Sequence, residues 1–140
     1  MGPPAERAAM KIIGVRSIKR EQILDITPQV QEFVAESGHA SGLVAVYCPH
    51  TTAGLSVNEN ADPDVKDDML VSLKTLIPRS PEFKHAEGNA DAHIKSVVIG
   101  FSQVFMVEDG KILLGHWQQI YFMEFDGPRD REVWLKFIAG

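Results

Sequence analysis

The sequence predicts a single α+β domain in which antiparallel or mixed stacked β-sheets carry about three helices on one side. Its 140 residues match the usual length of one domain, and 44% hydrophobic with 24% charged residues is ordinary for a globular protein. Three segments combine helix-capping residues with apolar residues at helical spacing. Short apolar runs typical of strands separate these segments and dominate the last forty residues.

Residues 1–10 read as an extended or disordered leader, and the domain is expected over residues 11–140. The leader lacks the apolar core of a signal peptide, and no apolar run approaches the ~20 residues that cross a membrane. Cys48 is the only cysteine, which excludes an internal disulfide and favours the cytoplasm. A net charge of -5 with scattered basic residues indicates no nucleic-acid partner.

The first forty residues predict a strand and then a helix. One strand, with a bend, is expected over residues 11–24, with the inward-facing residues Ile13, Val15 and Ile18. Thr27 supplies an N-cap and Pro28 the first helical position. This helix presents an apolar stripe, Val30, Phe33 and Val34, and ends at Gly38.

Two strands and a second helix follow. Residues 42–48 form a continuous apolar run, typical of a strand covered on both faces, and residues 54–57 form another short strand. Asp62 and Pro63 repeat the cap-plus-proline start. The helix continues to Pro78 with one apolar face, formed by Val65, Met69, Leu73, Leu76 and Ile77.

The remaining elements are a helix and four strands. Asn89 is the expected N-cap of a helix that reaches about Val98 and ends at Gly100. Residues 103–107 and 111–114 predict a hairpin with a type I′ turn, because Asp-Gly lies between them. Residues 117–126 form a further strand whose side chains alternate between two faces, and residues 132–138 form the closing strand.

Three histidines, His50, His85 and His93, fall in loops or at element ends near Glu59, Asp62, Glu87 and Asp91. Imidazole nitrogens and carboxylate oxygens are the ligands expected of zinc or a similar divalent cation. No two of the histidines stand in a compact ligand motif, so the spacing alone is weak evidence. Solvated loop histidines without a role are the alternative.

Segments 58–62 and 87–91 each end at the start of a predicted helix, where free N–H groups favour an anion such as phosphate. Capping alone explains the same residues equally well. Thr51 and Thr52 follow a buried strand, as polar groups do in binding clefts and in ordinary turns.

Other candidates have both functional and structural interpretations. Cys48 suits a nucleophile, but a lone cysteine ending an apolar run is more often a small buried hydrophobe. Trp117 and Gln118 could form a platform for a ring substrate, although a tryptophan that opens a strand usually belongs to the core. Surface positions are expected for the ion-pairing residues Glu124, Asp126 and Arg129 and for the solvated His39 and His116.

Four sequence blocks together resemble the YjbQ family. They are residues 49–55 (PHTTAGL), 58–64 (NENADPD), 87–95 (EGNADAHIK), and 114–122 (LGHWQQIYF) with 124–129 (EFDGPR). The resemblance covers about residues 11–139 without large gaps. The leader and His116 depart from the family pattern, and neither affects the candidate ligands.

The resemblance implies a YjbQ-like fold of stacked sheets that assembles as a homotrimer, with sites at or near subunit boundaries. It also implies thiamine-phosphate synthase activity, which joins a pyrimidine diphosphate to a thiazole phosphate and releases pyrophosphate. That activity is regarded as secondary in the family. A divalent metal ion, zinc or magnesium, is expected on the histidines that match the family's ligands, His50, His85 and His93.

The resulting hypothesis is a metal-dependent enzyme for a small phosphorylated substrate. The expected catalytic residues are Glu59, Glu87 and Asp91. The expected substrate-binding residues are Thr51, Thr52, Asn58, Gly88, Asn89, Trp117 and Gln118. Two alternatives stay open: a metal-dependent hydrolase, in which the metal lowers the pKa of bound water, and a non-catalytic protein that binds a metabolite or metal.

Overall fold

The computed structural model describes residues 10–140, so the predicted leader lies outside the described residues except for Met10. The strands are β1 (Met10–Arg16), β2 (Gln22–Asp25), β3 (Gly42–Tyr47), β4 (Ala53–Glu59), β5 (Ser102–Glu108), β6 (Lys111–Ile112), β7 (Gln118–Glu124) and β8 (Asp130–Ala139). The helices of this part of the chain are α1 (Thr27–Ser37), α2 (Pro63–Leu76) and α3 (Ala90–Ile99).

The strands form two stacked sheets, and every pairing is antiparallel. The larger sheet has five strands in the order β1-β8-β3-β5-β6, and the smaller has three in the order β2-β7-β4. The sequence therefore predicts the α+β class correctly.

Two hydrophobic cores lie on the two faces of the smaller sheet. The main core fills the space between the sheets and takes in the apolar stripe of α1, Val30, Phe33 and Val34. The second core joins Tyr121, Met123 and Phe125 of the β7 segment to apolar residues of α2 and α3. Because β7 is covered on both faces, its alternate residues enter different cores. All three helices therefore lie on the inner side of the larger sheet, as predicted.

The single strand predicted over residues 11–24 is wrong, because the chain changes sheets within it. β1 pairs with β8 in the larger sheet, whereas β2 pairs with β7 in the smaller one. Ser17 lies at the crossing, where its hydroxyl donates to Glu124 at 2.7 Å. Ile18, expected to face inward, is 70% exposed because it follows this crossing.

Two further local predictions are wrong. β3 is covered on only one face, since Val44 and Val46 are fully buried whereas Leu43 is exposed. Ile26, not Thr27, is the N-cap of α1, and the Thr27 hydroxyl instead accepts a hydrogen bond from the backbone N–H of Ile120 at 2.7 Å.

The predicted hairpin turn and helix boundaries are otherwise confirmed. Asp109 and Gly110 both have positive φ, as a type I′ turn requires. Gly38 ends α1 in the left-handed conformation. Asp62 caps α2 by accepting from the N–H of Asp64 at 2.9 Å. No helix within residues 10–140 is long and apolar enough to span a membrane.

A buried ion pair connects the two sheets. Glu124 of β7 is fully buried and bonds the guanidinium of Arg131 of β8, with Nε 2.9 Å from Oε1 and a second, shorter bond from Nη2 to Oε2. The same guanidinium donates to the hydroxyl of Thr52 at 2.8 Å. The prediction of a surface ion pair is therefore wrong for Glu124. Burial would raise the pKa of Glu124, but hydrogen bonds from Arg131 and Ser17 outweigh it and lower that pKa.

We predict that Glu124→Gln lowers the free energy of unfolding by about 3–5 kcal/mol, because it leaves the buried Arg131 without its counter-charge. Urea denaturation of the purified variant measures this change. Glu32→Gln, the same substitution at an exposed position of α1, is the control and should shift stability by less than about 0.5 kcal/mol. Equal stability of the two variants would contradict the prediction.

Candidate functional site

A cavity of about 660 Å³ opens at the end of β3, where sequence analysis places a polar loop. His50 and Thr51 of the loop after β3 and His93 of α3 lie in its wall. An aromatic surface completes the wall, formed by Tyr47, Phe101 and Trp134. The ring centroids of Tyr47 and Trp134 are 5.5 Å apart with an interplanar angle of 15°. A cavity of this volume suits a metabolite-sized ligand.

His50 is held as a neutral ring. Its Nε2 contacts the backbone of Glu132 twice, 2.9 Å from the N–H and 3.1 Å from the carbonyl oxygen, and these contacts fix the position of the ring. Burial, and then the positive charge of Arg131, lower the pKa of His50 below its ordinary value of 6.5. At neutral pH His50 therefore offers one N–H and no net charge.

His85 and His93 lie side by side. Their ring centroids are 5.2 Å apart and the planes meet at 83°, a separation compatible with two ring nitrogens ~2 Å from one cation. His50 shares a cavity wall with His93 but has its Nε2 bonded to Glu132. The described residues contain no group of three or more histidine, cysteine, aspartate or glutamate side chains placed to hold a metal ion. Within residues 10–140, His50, His85 and His93 therefore do not converge as one set of metal ligands.

A polar network extends from Glu87 past the start of α3. Asn89 is buried, and its Nδ2 donates to Asp126 at 2.8 Å and to Glu87 at 3.4 Å. Although Asn89 occupies the N-cap position, its side chain makes no capping bond, and its Oδ1 is buried without a partner. Gly88 has a φ of 74°, a left-handed conformation that suits glycine in the preceding turn. Asn89 therefore retains a free acceptor.

Asp126 is the residue of this network that sequence analysis treats as an ordinary surface ion-pair member. Its carboxylate accepts from Asn89 and from Arg129, the latter at 3.0 Å. Burial would raise the pKa of Asp126, but hydrogen bonds from Asn89 and Arg129 outweigh it and lower that pKa. The signal that could have identified Asp126 was its place in the block 124–129. Arg129 itself is half-exposed, as a surface ion pair requires.

Two predicted site residues have structural roles. Thr52 is only 6% exposed, and its hydroxyl is bonded to Arg131, so it is not free to bind substrate. Asp91, expected to be catalytic, is 1% exposed and does not line the cavity beside His93. Its two oxygens instead accept from Arg20 at 3.0 Å and from Lys95 at 3.1 Å. The geometry therefore favours structural roles for Thr52 and Asp91, because cations of the protein already occupy these oxygen atoms.

The remaining predicted residues form a separate group. Asn58, Glu59, Trp117 and Gln118 line a cavity of about 440 Å³ at the far end of the β4–β7 pair. Glu59 lies six positions after Ala53 in β4, which corresponds to about 20 Å along the strand. Within one chain, this group of residues therefore lies apart from His50 and His93.

The burial of Cys48, the exposure of Trp117 and the hydrogen bond of Asp62 decide between their functional and structural interpretations. Cys48 is buried in the main core, and burial raises the pKa of its thiol, which favours the structural interpretation. Trp117 is 61% exposed, so the core interpretation of this tryptophan is wrong. At the start of α2 the carboxylate of Asp62 accepts a hydrogen bond from the backbone N–H of Asp64, so capping explains residues 58–62.

Comparisons with known proteins identify relatives along almost the whole chain. The family model described as UPF0047 protein YjbQ-like matches residues 11–140. The UPF0047 protein YugU of Bacillus subtilis is 48% identical over 131 residues, 93% of this chain and 99% of the relative. A UPF0047 protein of Methanocaldococcus jannaschii is 52% identical over 125 residues, 89% of this chain and 91% of the relative.

Solved structures agree with the fold. An uncharacterized protein of the YjbQ/UPF0047 family from Clostridium acetobutylicum superposes with a TM-score of 0.89 at 50% identity, covering 91% of this chain and 99% of the other. A hypothetical protein from Aeropyrum pernix K1 gives a TM-score of 0.89 at 38% identity, covering 94% of this chain and 98% of the other.

We predict that part of the stability of the protein depends on pH through His50. Its pKa is lower in the folded state than in the unfolded chain, so below about pH 6.5 the unfolded chain takes up a proton that the folded protein does not. The His50 contribution is therefore complete above pH 6.5 and decreases as the pH falls through the folded-state pKa. Urea denaturation at a series of pH values between 8 and 5 measures this dependence.

His50→Gln should flatten this part of the stability profile, whereas His39→Gln, at an exposed position, should leave it unchanged. A profile as steep in His50→Gln as in the natural protein would assign the dependence to another group.

Proposed function

Because the chain belongs to the YjbQ-like UPF0047 family, we propose that it is an enzyme that acts on small phosphorylated metabolites, with thiamine-phosphate synthase activity as a secondary reaction. The observation that carries this proposal is the cavity of about 660 Å³ in which His50 and His93 face an aromatic surface. A cavity lined by aromatic and apolar side chains with a few polar groups is typical of small-molecule sites.

In the proposed reaction, the bond between the pyrimidine methylene carbon and the diphosphate oxygen breaks, and pyrophosphate leaves with the electron pair. The thiazole nitrogen forms the new bond to that carbon. Negative charge develops on the departing oxygen, so donors placed there lower the barrier. His93 and the hydroxyl of Thr51 are the donors proposed for the leaving group, and Tyr47 with Trp134 hold the pyrimidine ring.

A divalent metal ion, zinc or magnesium, is a further part of the proposal. Two imidazoles, His85 and His93, fit zinc better by donor type than magnesium, which prefers oxygen ligands. Two nitrogens do not complete a ligand set, so the donors of one chain do not by themselves fit a bound metal. No step of the proposed reaction is therefore assigned to it.

We also propose that the protein assembles as a homotrimer through the outer face of the larger sheet. This face carries a patch of exposed apolar side chains from four strands, Ile12, Leu43, Val104, Met106 and Ile138. An apolar patch of this kind is typical of a surface that a protein partner covers. Tyr47, which belongs to the same face of β3, also lines the cavity of His50. A trimer formed here would place that cavity near a subunit boundary.

The proposed setting is the cytoplasm, with no nucleic-acid or membrane partner. The single cysteine, buried and unpaired, is in accord with a reducing compartment. The phosphorylated substrate and further copies of the chain are the partners that this proposal includes.

We predict that His93→Ala lowers the rate of thiamine phosphate formation about a hundredfold or more, because the leaving group loses a donor. The measurement is product formation and pyrophosphate release from the two phosphorylated precursors, with elemental analysis of bound metal on the same samples. His39→Ala is the control, since His39 stacks on Phe137 and does not line the cavity of His50 and His93.

Several outcomes would reject the synthase proposal. Absence of product with the natural protein would do so directly, and release of phosphate without the thiazole acceptor would favour hydrolysis instead. Saturable binding of the precursors without any turnover would indicate a non-catalytic binder.

We predict that Met106→Glu converts the trimer into a monomer, because it places a charge on each copy of the apolar face. Light scattering coupled to size-exclusion chromatography measures the mass. Val71→Glu introduces the same charge at an exposed apolar position of α2 and should leave the mass unchanged. A natural protein that elutes as a monomer would refute the trimer.

A further inference from the structure

We infer that the protein has a second binding site, for a small molecule that carries a phosphate or diphosphate group, on the opposite side of α3 from His93. A cavity of about 540 Å³ lies there. Its charged wall consists of four cations, Arg20, Lys74, Arg79 and Lys95, and two carboxylates, Glu21 and Asp91. This inference does not depend on the reaction proposed above.

The floor of the cavity is a buried ion network. Lys95 and Asp91 are each only 1% exposed, and Lys95 Nζ lies 3.1 Å from Asp91 and 3.5 Å from Glu21. Arg20 bonds both carboxylates, with its Nη2 3.0 Å from Asp91 and its Nη1 3.3 Å from Glu21. Burial would raise the pKa of Asp91, but the hydrogen bonds from Arg20 and Lys95 outweigh it and lower that pKa. Asp91 therefore stays ionised, and the formal charges of Asp91 and Glu21 balance those of Arg20 and Lys95.

The positive charges of Lys74 and Arg79 are not balanced by these two carboxylates. Lys74 belongs to the last turn of α2, and Arg79 follows Pro78 beyond the helix. Neither side chain forms an ion pair with any residue of the 10–140 segment. A concave surface with uncompensated positive charge concentrates the field and attracts anions. Arginine and lysine are also the side chains that bind phosphate oxygens most strongly.

The helix itself separates this cavity from the cavity of His50 and His93. Asp91 and Lys95 are four residues apart and lie on one face of α3. His93 is two residues from Asp91, a rotation of about 200° at 3.6 residues per turn, and therefore lies on the opposite face. The two cavities have no lining residue in common. A ligand in one cavity thus does not occupy the other.

A purely structural role explains only part of this cluster. Fixing the β2 segment to α3 requires only Arg20, Glu21, Asp91 and Lys95, whose charges balance each other. It does not require two additional cations around an open cavity. An anion bound between Lys74 and Arg79, above the buried ammonium of Lys95, accounts for both the excess charge and the space.

The test is isothermal titration calorimetry of the full-length protein with pyrophosphate and, separately, with inorganic phosphate. The double variant Lys74→Gln with Arg79→Gln should weaken pyrophosphate binding at this site roughly tenfold or more, because two charged hydrogen-bond donors are lost. Lys66→Gln with Lys111→Gln removes the same charge elsewhere and should leave the affinity unchanged. Both pairs are surface changes, and circular dichroism confirms that each variant is folded.

His93→Ala separates this site from the first one. If the His93→Ala variant still binds pyrophosphate through Lys74 and Arg79, the protein has a second site. This conclusion does not depend on the result of the synthase assay. The inference is overturned if the natural protein binds neither anion saturably. It is equally overturned if the two double variants lose affinity to the same extent, or if His93→Ala abolishes the binding and the Lys74/Arg79 variant does not.

Discussion

The buried pair of Glu124 and Arg131 is the constraint on which the rest of the structure depends. Glu124 belongs to the smaller sheet and Arg131 to the larger one, so their hydrogen bonds join the two sheets directly. Each charge is costly to bury alone and needs the opposite charge of the other. Ser17, where the chain changes sheets, and Thr52, which precedes β4, complete the same network. Three distant segments of the chain, around Ser17, around Thr52 and from Glu124 to Arg131, are therefore fixed relative to one another at one point.

This network also sets the properties of the neighbouring cavity. Arg131 binds Thr52 directly after the loop that carries His50, and its charge helps to lower the pKa of His50. Glu132, next to Arg131 in β8, donates its backbone N–H to the same imidazole. The backbone of Glu132 thus positions the ring, while burial and then the charge of Arg131 lower the pKa of His50. The chemistry of the cavity follows from the packing of the fold.

Helix α3 divides the polar residues of the molecule between two environments. One face contributes His93 to the cavity with the aromatic wall, and the other contributes Asp91 and Lys95 to the cationic cavity. Asn89, at its start, holds Asp126 and keeps one acceptor free. Residues that are neighbours in one sequence block therefore serve different surfaces, because successive helical side chains point about 100° apart.

The sequence by itself determined the α+β class, the α2 cap, the hairpin turn and the region of the cavity, since capping, turn chemistry and hydrophobic periodicity are local properties. Only the tertiary structure decided which of these polar residues meet. Asp91 was predicted to be catalytic and is held by Arg20, 71 residues away, while Glu124 was predicted at the surface and lies in the core. Strand 11–24 was misjudged for the same reason, because its division between two sheets depends on partners that pair from distant segments. The contact of Arg20 with Asp91 and the sheet assignments are long-range, and no local pattern encodes them.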